Sequence, residues 1–243
     1  MGVLYQLSYI GLCKPDTKNW AILLCFTPSF NADDKCYYCV MSTNATLLAC
    51  VQLAIESHAG QTRRLLGTPY IIHPVRMARE LASVGASADA ITAAILHDVI
   101  EDRKPYDPKL MFEKVTQTAG SRVAEIVDNL SELKQDNGED LPWKVRVTEA
   151  LERLINSNDR DAWLVKVADI LDNSRDLAES IRTFGYDAVQ KHFNAPITER
   201  VKKSIAFADI IRECDPNNLL LSKLDTVLVD LSAAVSASSV EST

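Results

Sequence analysis

Residues 88–101 read Ala88-Asp89-Ala90-Ile91-Thr92-Ala93-Ala94-Ile95-Leu96-His97-Asp98-Val99-Ile100-Glu101, apolar nearly all the way round a helical wheel. A helix with that pattern is buried. Its polar residues crowd at the C-terminal end: His97, Asp98 and Glu101, with Asp102 directly after. Read as one helix, the segment puts His97 and Glu101 on one face and Asp98 and Asp102 on the next. An imidazole and three carboxylates inside a protein cost free energy unless something compensates them, and a cation is the natural partner.

Outward from this segment the chain reads as helix after helix. Leu47, Leu48, Val51, Ile55 and His58 recur at the spacing of a helical face, preceded by the capping residues Ser42, Thr43 and Asn44. A polar loop, 61–72, precedes Pro74, which suits a first helical turn. Further helices are expected over 109–118, 121–134, 142–156, from the cap Asp159 through 182, and near 196–214 and 217–237, with a charged surface loop at 135–141. No strand pattern of useful length and no repeat interrupts this rhythm. The fold class is all-α, a helical bundle. Residues 1–40, with Cys13, Cys25, Cys36 and Cys39, do not share the period and read as an N-terminal extension outside the catalytic core. Cys36-Tyr37-Tyr38-Cys39 has metal-ligand spacing but no second pair or nearby histidine, so all the cysteines read as reduced thiols. A main helical domain over 41–215 and a C-terminal helix with a frayed tail over 216–243 complete the division.

The 243 residues carry a formal charge of −7, which leaves no global footprint for nucleic acid. No apolar run approaches the roughly 20 residues of a membrane span, and the chain reads as cytoplasmic. Three of its four histidines, His58, His73 and His97, fall within 40 residues. A second polar stripe, Lys166, Asp169 and Asn173, interrupts another apolar helix. His58 reads as a structural, hydrogen-bonded histidine, His192 as a surface one, and Lys109, Lys114 and Arg122 as solvated. His73, His97, Asp98 and Asp169 form a candidate site for Mn²⁺, Fe²⁺ or Zn²⁺, because imidazole and carboxylate suit such ions and leave positions open for water and substrate. Glu101 and Asp102 beside them are placed to orient or deprotonate that water.

At these residues the sequence resembles the HD-domain hydrolases of the Rel/SpoT type, which degrade guanosine tetra- and pentaphosphate. The resemblance rests on Ser57-His58-Ala59-Gly60-Gln61-Thr62-Arg63, Gly67-Thr68-Pro69-Tyr70-Ile71-Ile72-His73-Pro74, Ala93-Ala94-Ile95-Leu96-His97-Asp98-Val99-Ile100-Glu101-Asp102, Val127-Asp128-Asn129-Leu130-Ser131 and Lys166-Val167-Ala168-Asp169 with Asn173 and Arg175. It implies metal ligation by His73, His97, Asp98 and Asp169, usually of Mn²⁺. It also implies water activation by Glu101 and Asp102, and nucleotide contacts from Arg63, Asn173, Lys144 and Arg146. The implied reaction is removal of the 3′-pyrophosphate of guanosine tetraphosphate, in a small hydrolase-only member. The loop from Arg63 to Pro69 is one residue longer than the family's, and Ile170 and Asp172 stand where the family often has Arg and His. Those departures border the substrate pocket, and they motivate a second reading in which another nucleotide, such as NADPH, is the substrate. A third reading, a metal-stabilised binding module without turnover, leaves the Glu101-Asp102 pair without a purpose.

Overall fold

The computed structural model describes residues 10–13, 21–24, 45–102, 107–132, 135–136 and 139–240. The Cys36-x-x-Cys39 motif and the capping residues Ser42, Thr43 and Asn44 lie outside them. The chain divides into two units, 1–48 and 49–243. In the first, β1 (Ile10–Cys13) pairs antiparallel with β2 (Ala21–Leu24).

The second unit is helical, as expected: α1 (Ala45–Ser57, whose first turn belongs to the first unit), α2 (Ile72–Ser83), α3 (Ala88–Leu96), α4 (Val99–Asp102), α5 (Pro108–Ala119), α6 (Ser121–Leu130), α7 (Trp143–Asn156), α8 (Arg160–Phe184), α9 (Tyr186–Gln190), α10 (Ile197–Cys214) and α11 (Leu221–Val240). The charged segment after α6, expected as a loop, forms a small antiparallel ribbon, β3 (Gln135–Asp136) with β4 (Glu139–Asp140). The short α9 has no counterpart in the sequence reading, and α11 continues past Ser236, where the tail was expected to fray.

Helix α8 is the axis of the bundle and packs against α2, α3, α6, α10 and α11. Its side chains Val165, Val167, Ala168 and Leu171 are fully buried, as are Met77 and Leu81 of α2 and Leu224 of α11. Burying one such large aliphatic side chain stabilises the fold by about 1.5–3 kcal/mol. Asp159 starts α8 by accepting the backbone N–H groups of Asp161 (3.1 Å) and Ala162 (3.3 Å). Arg122 of α6, expected as a solvated residue, is partly exposed and also clamps this cap with bonds of 2.6 and 2.8 Å to the Asp159 carboxylate.

The expected helix over 88–101 is a finding in two pieces. Ser87 caps α3 by accepting Ala90 N–H at 3.0 Å, but the helix ends at Leu96 and α4 begins only at Val99. The cause is local. His97 Nδ1 donates to the Ala94 carbonyl at 2.9 Å, the acceptor that a continuing helix reserves for the Asp98 N–H. His97 and Asp98 therefore sit at a joint, and the shared helical faces expected for His97 with Glu101 and Asp98 with Asp102 are interrupted there.

Candidate metal centre

His97 is buried, and its bond to a carbonyl settles its chemistry. A carbonyl can only accept, so Nδ1 carries a proton, and Nε2 is the ring nitrogen left to bind a proton or a metal ion. Nε2 is itself buried and has no hydrogen-bond partner, although Asp98 Oδ2 lies 2.8 Å away. His73, 1% exposed on α2, is oriented the same way. Its Nδ1 donates to Asp172 Oδ2 at 2.7 Å, which leaves Nε2 3.4 Å from Asp169 Oδ1. The two rings stand edge to face, 5.1 Å apart. Ligating atoms of His73, His97 and Asp169 all lie within 4.8 Å of one another. Donors bound to one ion at about 2.0–2.3 Å stand up to about 4.6 Å apart, so the cluster matches an ion-sized cage. Two buried imidazole nitrogens facing carboxylates, with His97 Nε2 2.8 Å from Asp98 Oδ2 and His73 Nε2 3.4 Å from Asp169 Oδ1, make a donor set that a divalent ion would complete.

Asp98 sits at the α3–α4 joint and also accepts the Tyr70 hydroxyl. Burial lowers the His97 pKa, but the adjoining Asp98 carboxylate outweighs it and lifts the imidazole to about 9. Burial likewise works against ionised Asp98, and the His97 charge overcomes it and holds the carboxyl well below the usual range. A cation in this position takes over the role of that proton. Asp169 is held well below its ordinary pKa, against burial, by Lys166, whose Nζ is 2.8 Å from Oδ2, and by His73. Lys166 in turn stays charged despite burial, because Asp169, Glu101 and Asp98 face it. Glu101 lines the same small cavity, about 160 Å³, and its Oε1 accepts the Glu132 N–H at 2.8 Å. The side chain of Asp102 lies outside the described residues.

A larger cavity of about 730 Å³ adjoins the cluster and shares Tyr70, Leu130, Glu132, Lys166, Asp169 and Asn173 with it. Its volume is in the range of small-molecule sites, about 300–1,000 Å³. Its lining includes the cations Arg63, Arg64, Arg200 and Lys203, the carboxylates Glu132, Asp169 and Asp176, and the apolar Leu65, Phe193 and Phe207. The loop between α1 and α2 delivers Arg63, Arg64 and Tyr70. Arg63 N–H bonds Thr68 O at 2.7 Å, Gly67 N–H returns to Arg63 O at 2.9 Å, and Gly67 takes φ +66°, which suits glycine. Arg63 is engaged at its edge, by Asp176 (2.9 Å) and by Asn173 Oδ1 (2.7 Å), while Asn173 Nδ2 donates to Asp169. Arg146 lies 3.7 Å from Glu132, and the Lys144 side chain lies outside the described residues. The guanidinium of Arg200 stacks 4.3 Å from the Phe193 ring centroid.

A model of the HD domain matches residues 50–197, well over half of the chain. The chain belongs to the HD-domain family. The guanosine-3′,5′-bis(diphosphate) 3′-pyrophosphohydrolase MESH1 of Danio rerio is 37% identical over 139 residues, which cover 56% of this chain and 71% of that protein. A protein with the same enzymatic name from Aquifex aeolicus is 33% identical over 128 residues, but these span only 17% of its length against 52% of this chain. Among solved structures, one described as a metazoan ortholog of SpoT that hydrolyzes ppGpp superposes with a TM-score of 0.58 at 26% identity, covering 76% of this chain and 94% of that one.

Within this HD domain the structure brings His73, His97, Asp98, Asp169 and Glu101 together, with Asn173 bonded to Asp169 and Arg63 bonded in turn to Asn173. His58, buried and 3.0 Å from Gln61 Oε1, has the structural role expected of it, and His192 is exposed. Sequence reasoning missed Tyr70, Arg64, Asp172, Arg200 and Lys203. Tyr70 and Arg64 stood inside the quoted loop, but Arg200 and Lys203 carry no local signal, because one-turn spacing of basic residues on a helix is indistinguishable from a solvated face.

Proposed function

We propose that this HD domain is a metal-dependent pyrophosphohydrolase of guanosine 3′,5′-bis(diphosphate), which with water gives GDP and pyrophosphate, and GTP from the pentaphosphate. The observation that carries the reading is the junction of an ion-sized His/Asp cluster with a nucleotide-sized cavity lined in part by cations. The names of the relatives support it. His73, His97, Asp98 and Asp169 would hold the ion, with Mn²⁺ as the proposed metal. A divalent ion held there supplies Lewis acidity to a phosphate oxygen and acidifies water. Glu101, fixed by the Glu132 N–H, accepts the proton of the attacking water, with Asp102 as its neighbour. Arg64, Arg200 and Lys203 would receive the diphosphate remote from the ion, and Leu65, Phe193 and Phe207 would cover the base. A cytoplasmic location belongs to the same proposal.

The lengthened loop, motive for an NADPH reading, places Leu65 and Leu66 on the cavity wall. The test therefore sets Mn²⁺-loaded protein against guanosine and adenosine polyphosphates and NADPH, with and without a chelator. Turnover of the guanosine substrates, lost on chelation, is the expected result; faster turnover of NADPH would replace the substrate and keep the chemistry. The double substitution Glu101→Gln with Asp102→Asn should lower kcat by about 10²–10⁴ while leaving Mn²⁺ content near wild type. His97→Ala should lose metal and activity together. A double variant that kept most of its activity would remove Glu101 and Asp102 from the mechanism.

A further inference from the structure

Asp172 is 2% exposed on α8, three residues beyond Asp169, and stands where the Rel/SpoT type often has histidine. It is not placed to ligate the ion, since its Oδ2 faces the far nitrogen of His73, 2.7 Å from Nδ1. Its other oxygen lies 3.3 Å from Arg76 Nε, and Arg76 Nη1 reaches Asp176 at 3.1 Å. The carboxylate is thus pinned between a guanidinium and an imidazole. Both histidines of the centre carry their proton on Nδ1, but they are held differently: His97 by a neutral carbonyl, His73 by a buried carboxylate.

We propose that Asp172 is a positioning residue of the metal centre, which fixes the tautomer and direction of His73 and strengthens it as a ligand through a carboxylate–imidazole hydrogen bond. The inference rests on His73 being a ligand and is independent of which nucleotide is cleaved. A carboxylate that accepts from the far nitrogen turns the near lone pair toward the ion and raises its basicity, and loss of such a partner typically costs about 10–100-fold in metal affinity. Arg76 keeps Asp176 when Asp172 is removed, so the helix contact survives.

The experiment titrates Mn²⁺ alone into metal-free protein by calorimetry, for wild type, Asp172→Asn, Asp172→Ala and His73→Ala. Asp172→Ala should bind Mn²⁺ about 10–100-fold more weakly, with Asp172→Asn between it and wild type. Saturating Mn²⁺ should recover most of the lost kcat, which a merely structural carboxylate would not explain. The ¹⁵N spectrum of the His73 ring in wild type should show a protonated Nδ1, and this reading stands even if the alanine variant does not fold. Mn²⁺ affinities of both variants within twofold of wild type, or an Nδ1 without its proton, would overturn the proposal. Wild type that takes up no Mn²⁺, or His73→Ala that binds as well as wild type, would instead overturn the metal site beneath it.

Discussion

Lys203 illustrates what a cationic cavity asks of single residues. Burial draws its pKa down to about 8, and the charges of Lys166, Arg200 and Arg146 press the same way, against the attraction of Glu132. In the unfolded chain a lysine titrates near 10.4. The protonated form is thus disfavoured by folding: the cost is full below pH 8 and is relieved as pH rises from about 8 toward 10.4. A bound polyphosphate would reverse the preference by stabilising the ammonium. Lys203→Met should accordingly melt on the order of 1–3 °C higher than wild type at pH 7, with the gap closing by pH 10. The same variant should need about 5–50-fold more guanosine substrate to reach half-saturation, one lost charge-assisted contact. Melting curves and KM at several pH values check both arms, and a KM that does not rise would take Lys203 out of the substrate site. The proposed ligands Asp169, His97 and Asp98 were legible in the sequence because they interrupt or end apolar helical runs, where a polar residue needs a reason, and His73 was legible through the family resemblance. Asp172 was not, since its reason is His73, 99 positions away and on another helix.

At the scale of elements, much depends on where α8 starts, because the helix carries Lys166, Asp169, Asp172, Asn173 and Asp176 in one register. Asp159 fixes that start, and Arg122 fixes Asp159. Burial would raise the Asp159 pKa, but Arg122 and the capped N–H groups outweigh it and hold the carboxyl below its ordinary value. A depressed carboxylate contributes stability above its unfolded pKa and loses it as pH falls through the folded one. Asp159→Ala should therefore destabilise by about 1–2 kcal/mol at pH 7. The difference from wild type should begin to shrink as pH falls below about 4 and vanish only once it has fallen through the lower folded-state value, where the wild-type cap is protonated too. Chemical denaturation at the two pH values reads this directly; a constant difference would mean that the cap acts through packing alone. The Asp159 cap was readable from sequence. The break between α3 and α4 was not, because Val99 and Ile100 resume the apolar run directly after His97 and Asp98, and only the side-chain bond of His97 to Ala94 shows why the helix stops.

The whole molecule sets an acidic average against a cationic cavity. A charge of −7 excludes a general affinity for polyanions, yet Arg64 from a loop and Arg200 and Lys203 from α10 line one cavity. Net charge is a property of the surface sum, and a site is local. The same distinction bears on which parts of the chain the activity needs. Every described residue that lines the two cavities lies between 61 and 231, and the HD-domain match begins at residue 50. The C-terminal helix is part of that set: α11 lies along α8, buries Leu224 and Leu231, and Leu231 also lines the cavity. Its removal would uncover apolar area at about 25 cal/mol for each Å². A chain beginning at Met41 retains all of α1, including the buried Cys50, Leu53 and Ala54. It should keep Mn²⁺ binding and guanosine polyphosphate hydrolysis within about twofold of full length and melt within a few degrees of it. A chain ending at Asp215 should instead be insoluble or melt far lower. If the Met41 chain fell in melting temperature as far as the Asp215 chain, residues 1–40 would belong to the folded core, with Ile22, Leu23 and Leu24 of β2 among the residues it needs.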